Sequence, residues 1–505
     1  RVVKSALGNF PAKIAVSALL FDYILTGPIS SVSAGQYLSG LILESLSQFN
    51  PALTIIDPTV RAGVRQFFSV IIAIGITIYF FRKNLVGIHE SSSKALRIMM
   101  FTTVVAVIAL IWSGLTLAVK GPMNSVPFEP DLSQKVVYQP VKGVDRLTGE
   151  EREVWQRDPE TGALVPMRNE KGEVVSRLNP VTGAPDDPLG FLPDVAPAFA
   201  NQLRHPASIW TFFGVIGLIV AFGHSVLAMS GEETMAQVYR EVESPKLPNF
   251  KKAAFIIFLY SVLFTCSVSF LAVLLIPDEV RMKDYADNLL GGLAMHVIGP
   301  PIARLILNAL VVVAGFLILA GAVNTSIIGS NGVLNRVAED GVLPDWFQRP
   351  HRRFGTTYRI LYLIIGLQLA TIIVTRGDMI LLGEAYAFGV LWSFMFNVLS
   401  MLVLRFKDPT PREFKVPLNV RIGGIELPIG LGLIVLILAV SALMNLLTKE
   451  VATVSGLTFS AIFLVIFIIS GRYTHRGETA FEHLEQFTEQ STETVSQQTV
   501  GAEKP

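Results

Sequence analysis

The sequence predicts an all-α membrane protein with ten membrane-spanning helices, and three observations support this prediction. The mean hydropathy of the 505 residues is +0.52. Only 16% of the residues are charged, whereas soluble domains carry about 25%. Ten apolar runs approach the roughly 20 residues that a helix needs to cross a bilayer. They lie at about 14–43, 64–81, 96–119, 208–230, 253–276, 301–328, 358–375, 379–404, 425–447 and 451–471.

The first apolar run, 14–43, is predicted to be a retained span. It is too long for the apolar core of a secretory signal peptide, and no plausible mature domain follows its end. Lysine and arginine then predict the orientation. The loops near 82–97, 240–252, 336–359 and 405–421 hold eighteen of these residues, against seven in the other short loops. The side richer in lysine and arginine should be cytoplasmic. Both termini of this chain are therefore expected on the cytoplasmic side of the cell (inner) membrane.

Two segments are predicted to lie outside the bilayer. Residues 120–206 form a long extracytoplasmic loop with three repeats that end in Thr-Gly, at Asp145–Gly149, Asp158–Gly162 and Asn179–Gly183. This is turn chemistry, so we expect hairpins, with possible strands at 153–157 and 173–178. A partly disordered loop is an equally good interpretation. The tail, 472–505, is rich in Glu, Gln, Thr and Ser and is expected to be disordered.

The fourth apolar run, 208–230, carries a polar interruption at Gly223-His224-Ser225. Gly223 lowers helix propensity, and His224 is costly in hydrocarbon unless it faces protein or water. An anchoring helix has no use for such a break, whereas many secondary transporters hold their substrate at a broken span near the midplane. The interruption therefore favours transport.

Several other function classes lack support in the sequence. There is no phosphate-binding loop that ends in Gly-Lys-Ser/Thr, which argues against ATP-driven pumping. The histidines form no HExxH pattern, and Cys266 is the only cysteine, so no metal site is expected. The net charge of +1 argues against a nucleic-acid surface. We expect no enzymatic activity and no cofactor.

Four stretches of the chain resemble segments of the amino acid–polyamine–organocation permeases, in matching order and spacing. They resemble the third helix, the loop between helices four and five, the sixth helix with its exit, and the end of the eighth helix with its following loop. The last is the most specific. They are Leu20–Thr26 with Ala34–Leu38; Asn84–Lys94; Ala221–Ser225 with Glu232, Glu233 and Ser244–Lys246; and Asn324–Phe347 with Phe354–Tyr358.

This resemblance implies the leucine-transporter-like fold of two five-helix inverted repeats plus two further helices. The ten spans then match helices three to twelve, and the family's first two helices, including the break in helix one, should precede Arg1. Residues 1–119 would hold helices three to five, and 120–206 the outer loop. Residues 207–471 would hold helices six to twelve, and 472–505 a cytoplasmic tail.

The resemblance also implies a substrate site. In the family an unwound stretch of helix six exposes peptide groups to the substrate; here Ala221–Ser225 would do so, mostly toward the substrate's ammonium. His224 and Ser225 stand where an aromatic and an acid are more usual. His224 has three possible roles: lining the pocket, responding to protons, or bonding a neighbouring helix. Phe222 would close over the substrate or pack as an ordinary aromatic. Tyr23 and Thr26 are further pocket candidates.

Two coupling ions are weighed. In related folds, oxygen atoms at the level of Asn324, Thr325 and Ser326 would ligate sodium. Interhelical hydrogen bonding by these side chains is the favoured interpretation. Some proton-coupled members carry a lysine inside helix five, and the corresponding stretch, Met100–Val104, has none. Asp22 and Glu384 are the acids best placed within spans; we expect Asp22 to be structural and Glu384 to reach the interface.

A cytoplasmic gate of ion pairs is possible among Glu232, Glu233, Arg240 and Arg336, although a solvated charged loop is as good an interpretation. The stretch Asn331–Phe347 has apolar residues at helical spacing and predicts a short amphipathic helix along the membrane surface.

Together these features predict a secondary-active amino acid permease that works by alternating access. Proton-coupled symport is favoured over sodium coupling, and the expected partners are an amino acid, the coupling ion and the lipid bilayer. The alternatives are an amino acid exchanger, a polyamine or organocation carrier, and, from another class, a membrane sensor or an inactive truncated product.

Overall fold

A computed structural model describes most of the chain. The described residues are 2–49, 58–87, 92–126, 128–134, 141–144, 151–154, 156–157, 164–165, 187–225, 242–277, 288–339, 343–408, 410–422 and 425–469, with a few isolated positions between 235 and 285. The predicted tail, 472–505, and the expected strand at 173–178 lie outside this part of the chain.

The described chain is overwhelmingly helical. The helices are α1 (Val2–Leu7), α2 (Asn9–Phe49), α3 (Pro58–Val86), α4 (Ser92–Lys120), α5 (Leu192–Val195), α6 (Pro197–Arg204), α7 (Phe212–Ser225), α8 (Lys246–Ser261), α9 (Ser267–Leu275), α10 (Leu289–His296), α11 (Pro301–Glu339), α12 (Tyr358–Val374), α13 (Met379–Lys407), α14 (Ile429–Thr448) and α15 (Glu450–Ile469). A π turn, Val262–Cys266, joins α8 to α9, and a 3₁₀ turn spans Asp345–Phe347.

The structure confirms an all-α membrane protein. Within the described residues, eight helical segments are long and apolar enough to cross a membrane: α2, α3, α4, the continuous run from α8 to α9, α11, α13, α14 and α15. The other two predicted spans, 208–230 and 358–375, coincide with the shorter apolar helices α7 and α12. Each apolar run in the sequence therefore corresponds to a helix.

The chain divides into two compact units. One unit comprises Arg1–Gly8, Pro122–Phe258 and Ile380–Leu457, and is called here the α7 unit; the other comprises Asn9–Gly121, Leu259–Met379 and Thr458–Pro505, and is called the α2 unit.

The core of the α2 unit forms where α2, α3, α11 and α12 meet. Ala34, Ile76, Val323 and Ile365, one from each helix, belong to a single buried cluster. The helices approach closely at Gly35 of α2. A methyl group there would lie 2.5 Å from the carbonyl oxygen of Ser69 in α3 and 2.7 Å from its Cα. Small residues allow such backbone proximity in membranes, where association depends on van der Waals packing.

The amphipathic surface helix predicted for Asn331–Phe347 is wrong. Residues up to Glu339 continue α11. Leu334 and Val337 are buried in a cluster with Ile360 and Phe467, while Val333 packs against that cluster. The apolar stripe is therefore a core face, covered by α12 and α15 instead of by lipid headgroups.

The α7 unit carries small β-hairpins as well as helices. In the predicted outer loop, β1 (Val141–Val144) pairs antiparallel with β2 (Glu151–Val154), and β3 (Gln156–Arg157) with β4 (Leu164–Val165). The first two Thr-Gly repeats lie between these paired strands in the sequence, outside the described residues. The short helices α5 and α6, which end this loop, were not predicted.

A third hairpin, β5 (Asn419–Ile422) with β6 (Ile425–Pro428), precedes α14. Glu426 lies on β6 and joins the hairpin to the end of α13, because its carboxylate accepts from Arg405 at 3.1 Å and from Lys415 at 2.6 Å. The hydrogen bond from Lys415 is the main reason why the pKa of Glu426 lies below its usual range.

We expect Gly35→Ala to destabilise the protein by about 1–3 kcal/mol, since the new methyl group meets backbone atoms that cannot rotate away. Thermal unfolding of the purified protein measures the change. Gly114→Ala on α4 is the matched control, because its methyl group meets nothing within 4 Å and should be neutral or stabilising. Equal midpoints for the two variants would contradict the close packing of α2 on α3.

Glu426 should make stability dependent on pH. Its pKa is lower in the folded protein than in the unfolded chain, where it is about 4.5. The carboxylate therefore stabilises the fold above pH 4.5, and this contribution is lost as the pH falls through the folded value. Glu426→Gln should unfold at lower temperature than wild type at pH 7, and the difference should shrink below pH 4.5. Glu413→Gln, which removes an exposed neighbouring carboxylate, should show no such pattern.

Candidate functional site

The candidate substrate stretch, Ala221–Ser225, forms the last described turn of α7. The helix is continuous through Ser225, so no unwinding occurs within the stretch where the sequence suggested it; residues 226–234 lie outside the described part of the chain. The hydroxyl of Ser225 donates to the carbonyl of Phe222 at 3.0 Å. Ala221, Phe222 and Ser225 are exposed, whereas Gly223 is buried.

Gly223 is buried because α7 packs on α14. A methyl group at Gly223 would lie 3.4 Å from the carbonyl oxygen of Ser441. At the other end of this contact, Phe213 and Leu447 pack in one apolar cluster. The two helices therefore run antiparallel, with the exposed face of the Ala221–Ser225 turn directed away from α14.

A polar stripe on α14 lies next to this turn and was missed in the sequence. Ser441 and Asn445 are one helical turn apart and are 0% and 1% exposed. Among the described residues, neither the Ser441 hydroxyl nor the Asn445 amide has a hydrogen-bond partner. A buried amide without partners costs free energy and calls for an explanation such as a water or a bound group. Two polar residues four positions apart in an apolar span were the available signal.

Tyr23 and Thr26 lie in the α2 unit and face its interior. Tyr23 is 1% exposed, and its ring packs so closely on Gly329 that a methyl group there would lie 2.5 Å from it. The hydroxyl of Thr26 donates to the carbonyl of Asp22 one turn earlier, at 2.9 Å. Asp22 itself is fully buried. Within this unit both pocket candidates are therefore core residues of α2.

The three residues Asn324, Thr325 and Ser326 do not share a face of α11. Asn324 and Ser326 are buried, whereas Thr325 is exposed and its hydroxyl donates to Gly321 in its own helix. Ser326 donates to the carbonyl of Tyr23 at 2.9 Å and accepts from Gln368 of α12 at 2.8 Å. The side chains of Asn324 and Ser326 thus make the interhelical bonds that the sequence favoured over sodium ligation.

Asn324 also links two of the stretches that carried the family resemblance. Its side-chain oxygen accepts from Asn84 at the end of α3, at 2.7 Å. One residue further along the chain, the carbonyl of Leu85 accepts from Thr356 at 2.8 Å. Thr357 in turn donates to Asn331 of α11, at 2.8 Å. The ends of α3 and α11 and the start of α12 are therefore tied together by polar side chains.

The family model for amino acid permeases matches residues 2–470. The chain belongs to the amino acid permease family. No curated protein matches the chain. Membership makes this permease an integral, multi-pass membrane protein of the amino acid–polyamine–organocation superfamily, with an amino acid as substrate and lipid as its surroundings. It points to a transporter rather than an enzyme.

In this permease, the two acidic residues singled out within the predicted spans have different surroundings. Asp22 is enclosed by the α2 unit, whereas Glu384 of α13 lies 3.9 Å from the ammonium of Lys449, between α14 and α15. Lys449 is only 8% exposed. Burial lowers its pKa, and the charge of Glu384 opposes this effect. Glu384 is therefore more than an interfacial side chain, because it compensates a largely buried cation.

Only one residue of the suggested cytoplasmic gate is described. Arg336 is exposed on the last turns of α11, while Glu232, Glu233 and Arg240 lie outside the described residues. The ion-pair gate stays a prediction.

The bond between Asn84 and Asn324 can be measured by a double-mutant cycle. We expect Asn84→Ala and Asn324→Ala to be coupled by about 0.6 kcal/mol, and at most about 1.7, as for polar pairs inside membranes. Unfolding in mixed detergent micelles gives the four free energies. The control cycle pairs Asn84→Ala with Thr325→Ala, whose hydroxyl donates to Gly321 in its own helix, and should give no coupling. Equal coupling in both cycles would rule out a specific bond.

Proposed function

We propose that this permease moves an amino acid by alternating access, coupled to proton symport, and that the end of α7 supplies part of the substrate site. On this proposal the spans correspond to helices three to twelve of the inverted-repeat fold, residues 120–206 form the outer loop, and 472–505 form a cytoplasmic tail. The positive-inside pattern supports placing both termini in the cytoplasm, in the cell's inner membrane.

The single observation that carries the site is the Ala221–Ser225 turn. It is the last described turn of an apolar helix. We propose that the chain at this turn receives the ammonium group that every amino acid substrate carries. The exposed Ala221, Phe222 and Ser225 offer this surface while Gly223 holds the helix against α14.

The polar stripe on α14 supports the same site. Ser441 is in contact with the Gly223 turn, and Asn445 follows one helical turn away. Because buried polar groups in a membrane are expensive and tend to be functional, we propose that they hold water, or position α7, during the transport cycle.

Proton coupling is favoured over sodium coupling by the arrangement of α11. Asn324 and Ser326 are engaged in bonds to α2, α3 and α12, whereas Thr325 is exposed and bonds within its own helix. These three side chains offer no common ligand set. His224, whose reference pKa of about 6.5 lies close to physiological pH, is the residue we propose to respond to the proton gradient.

Uptake by the full-length protein in proteoliposomes tests the proposal. A panel of labelled amino acids is offered with and without an inward proton gradient, which should accelerate uptake. His224→Phe should change substrate preference about five-fold, as expected for one lost hydrogen bond of about 1 kcal/mol, and should flatten the pH dependence. His205→Phe, which alters an exposed histidine before α7, should leave both unchanged.

Each other outcome has a definite meaning. Uptake that does not depend on the proton gradient but requires amino acid inside the vesicle would identify an exchanger. A His224→Phe variant with wild-type preference and pH profile would refute both roles of His224. Absence of uptake of every amino acid by folded wild-type protein would refute transport.

A further inference from the structure

An apolar groove of about 400 Å³ opens on the α2 unit between α3, α4 and α11. Its walls include Gly75, Tyr79 and Phe80 of α3, Ile98 of α4, and Phe316 and Gly321 of α11. No residue assigned to substrate or ion lines it. The groove therefore needs an explanation apart from transport.

Two glycines create the width of this groove. A methyl group at Gly75 or at Gly321 would meet nothing within 4 Å, so each glycine faces open space. Tyr79 contributes a ring that is 54% exposed. The cavity is thus an open slot between helices.

Two lysines lie at one end of the groove. The ammonium of Lys83 lies 5.2 Å from the centre of the Tyr79 ring and 5.9 Å from that of Phe80. On α4, Lys94 precedes Ile98 by four residues and so lies one turn away on the same face. Both lysines extend beyond the same end of the groove, where α3 ends and α4 begins.

A hydroxyl group lies near this end, outside the lining of the groove. It belongs to Thr325 of α11, which follows Gly321 by four residues and is exposed. The slot therefore has an apolar body and, at one end, two cations and a hydrogen-bonding group. Its chemistry is complementary to an amphipathic molecule with a hydrocarbon chain and an anionic, oxygen-rich head.

We infer that the groove binds an anionic phospholipid, with the phosphate at Lys83 and Lys94 and one acyl chain along Gly75 and Gly321. A hydrocarbon chain gains little by leaving lipid for an equally apolar groove, so the head group must supply the selectivity. The lysines belong to the basic side of the protein, and the cytoplasmic leaflet is the one rich in anionic lipids.

Native mass spectrometry of the detergent-purified protein tests this site. Phosphatidylglycerol and phosphatidylcholine with identical acyl chains are titrated in parallel. Wild type should retain phosphatidylglycerol preferentially. Each of Lys83→Gln and Lys94→Gln should reduce that preference about five-fold, without changing retention of phosphatidylcholine. Lys252→Gln, an exposed lysine on α8 outside the groove, should have no effect.

A second pair of variants tests the acyl chain. Gly321→Leu fills the slot and should reduce retention of both lipids, together with the rise in unfolding temperature that lipid produces. Gly366→Leu on α12 is the control, since its added Cβ also meets nothing within 4 Å and lies outside the groove. Glycerol 3-phosphate, which lacks the chains, should not displace the lipid.

Three results of the lipid titrations would overturn the inference. They are no lipid preference in wild type, as when another segment fills the groove; lysine variants that behave like Lys252→Gln; and Gly321→Leu protein that retains lipid like wild type. Displacement by glycerol 3-phosphate would also overturn it, because the site would then bind phosphate alone.

Discussion

The hydroxyl of Ser326 is the point on which the α2 unit depends. It donates to the carbonyl of Tyr23 and accepts from the amide of Gln368, so one side chain joins α2, α11 and α12. A polar group in hydrocarbon must find its partner inside the protein. This requirement fixes the rotation of the three helices about their axes, because any other rotation would leave the amide nitrogen of the fully buried Gln368 facing apolar side chains.

The existence of the helices could be predicted from the sequence because apolar runs of membrane-spanning length have few other structures. Their partners could not. Asn84 and Asn324 are 240 positions apart, and no periodicity connects them. The stripe at Val333, Leu334 and Val337 predicted a surface helix for a similar reason. It shows that one face is apolar but not which helices cover that face, and one of the two, α15, begins more than 100 residues later in the chain.

The candidate site also depends partly on a local sequence pattern and partly on residues that are distant in the chain. Its proposed position on α7 follows from local polarity at Gly223-His224-Ser225. The support beneath it, Ser441 and Asn445, comes from a helix more than 200 residues later. The regular helix through Ser225 could not be foreseen either, because glycine weakens a helix by only about 1 kcal/mol, and packing on α14 is enough to offset that.

Close packing of helices has larger energetic effects in this fold than hydrogen bonds between side chains. A polar pair inside a membrane is worth about 0.6 kcal/mol on average, whereas forcing one extra methyl group into a packed contact costs about 1–3 kcal/mol. At Gly35 the obstacle is the backbone of Ser69, which cannot move without the whole of α3. The distance between α2 and α3 is therefore set mainly by this glycine contact, whereas polar side chains such as Asn84 and Asn324 determine which helix faces meet. Gly75 and Gly321 illustrate the converse, because glycines without a partner leave a groove between helices instead of closing it.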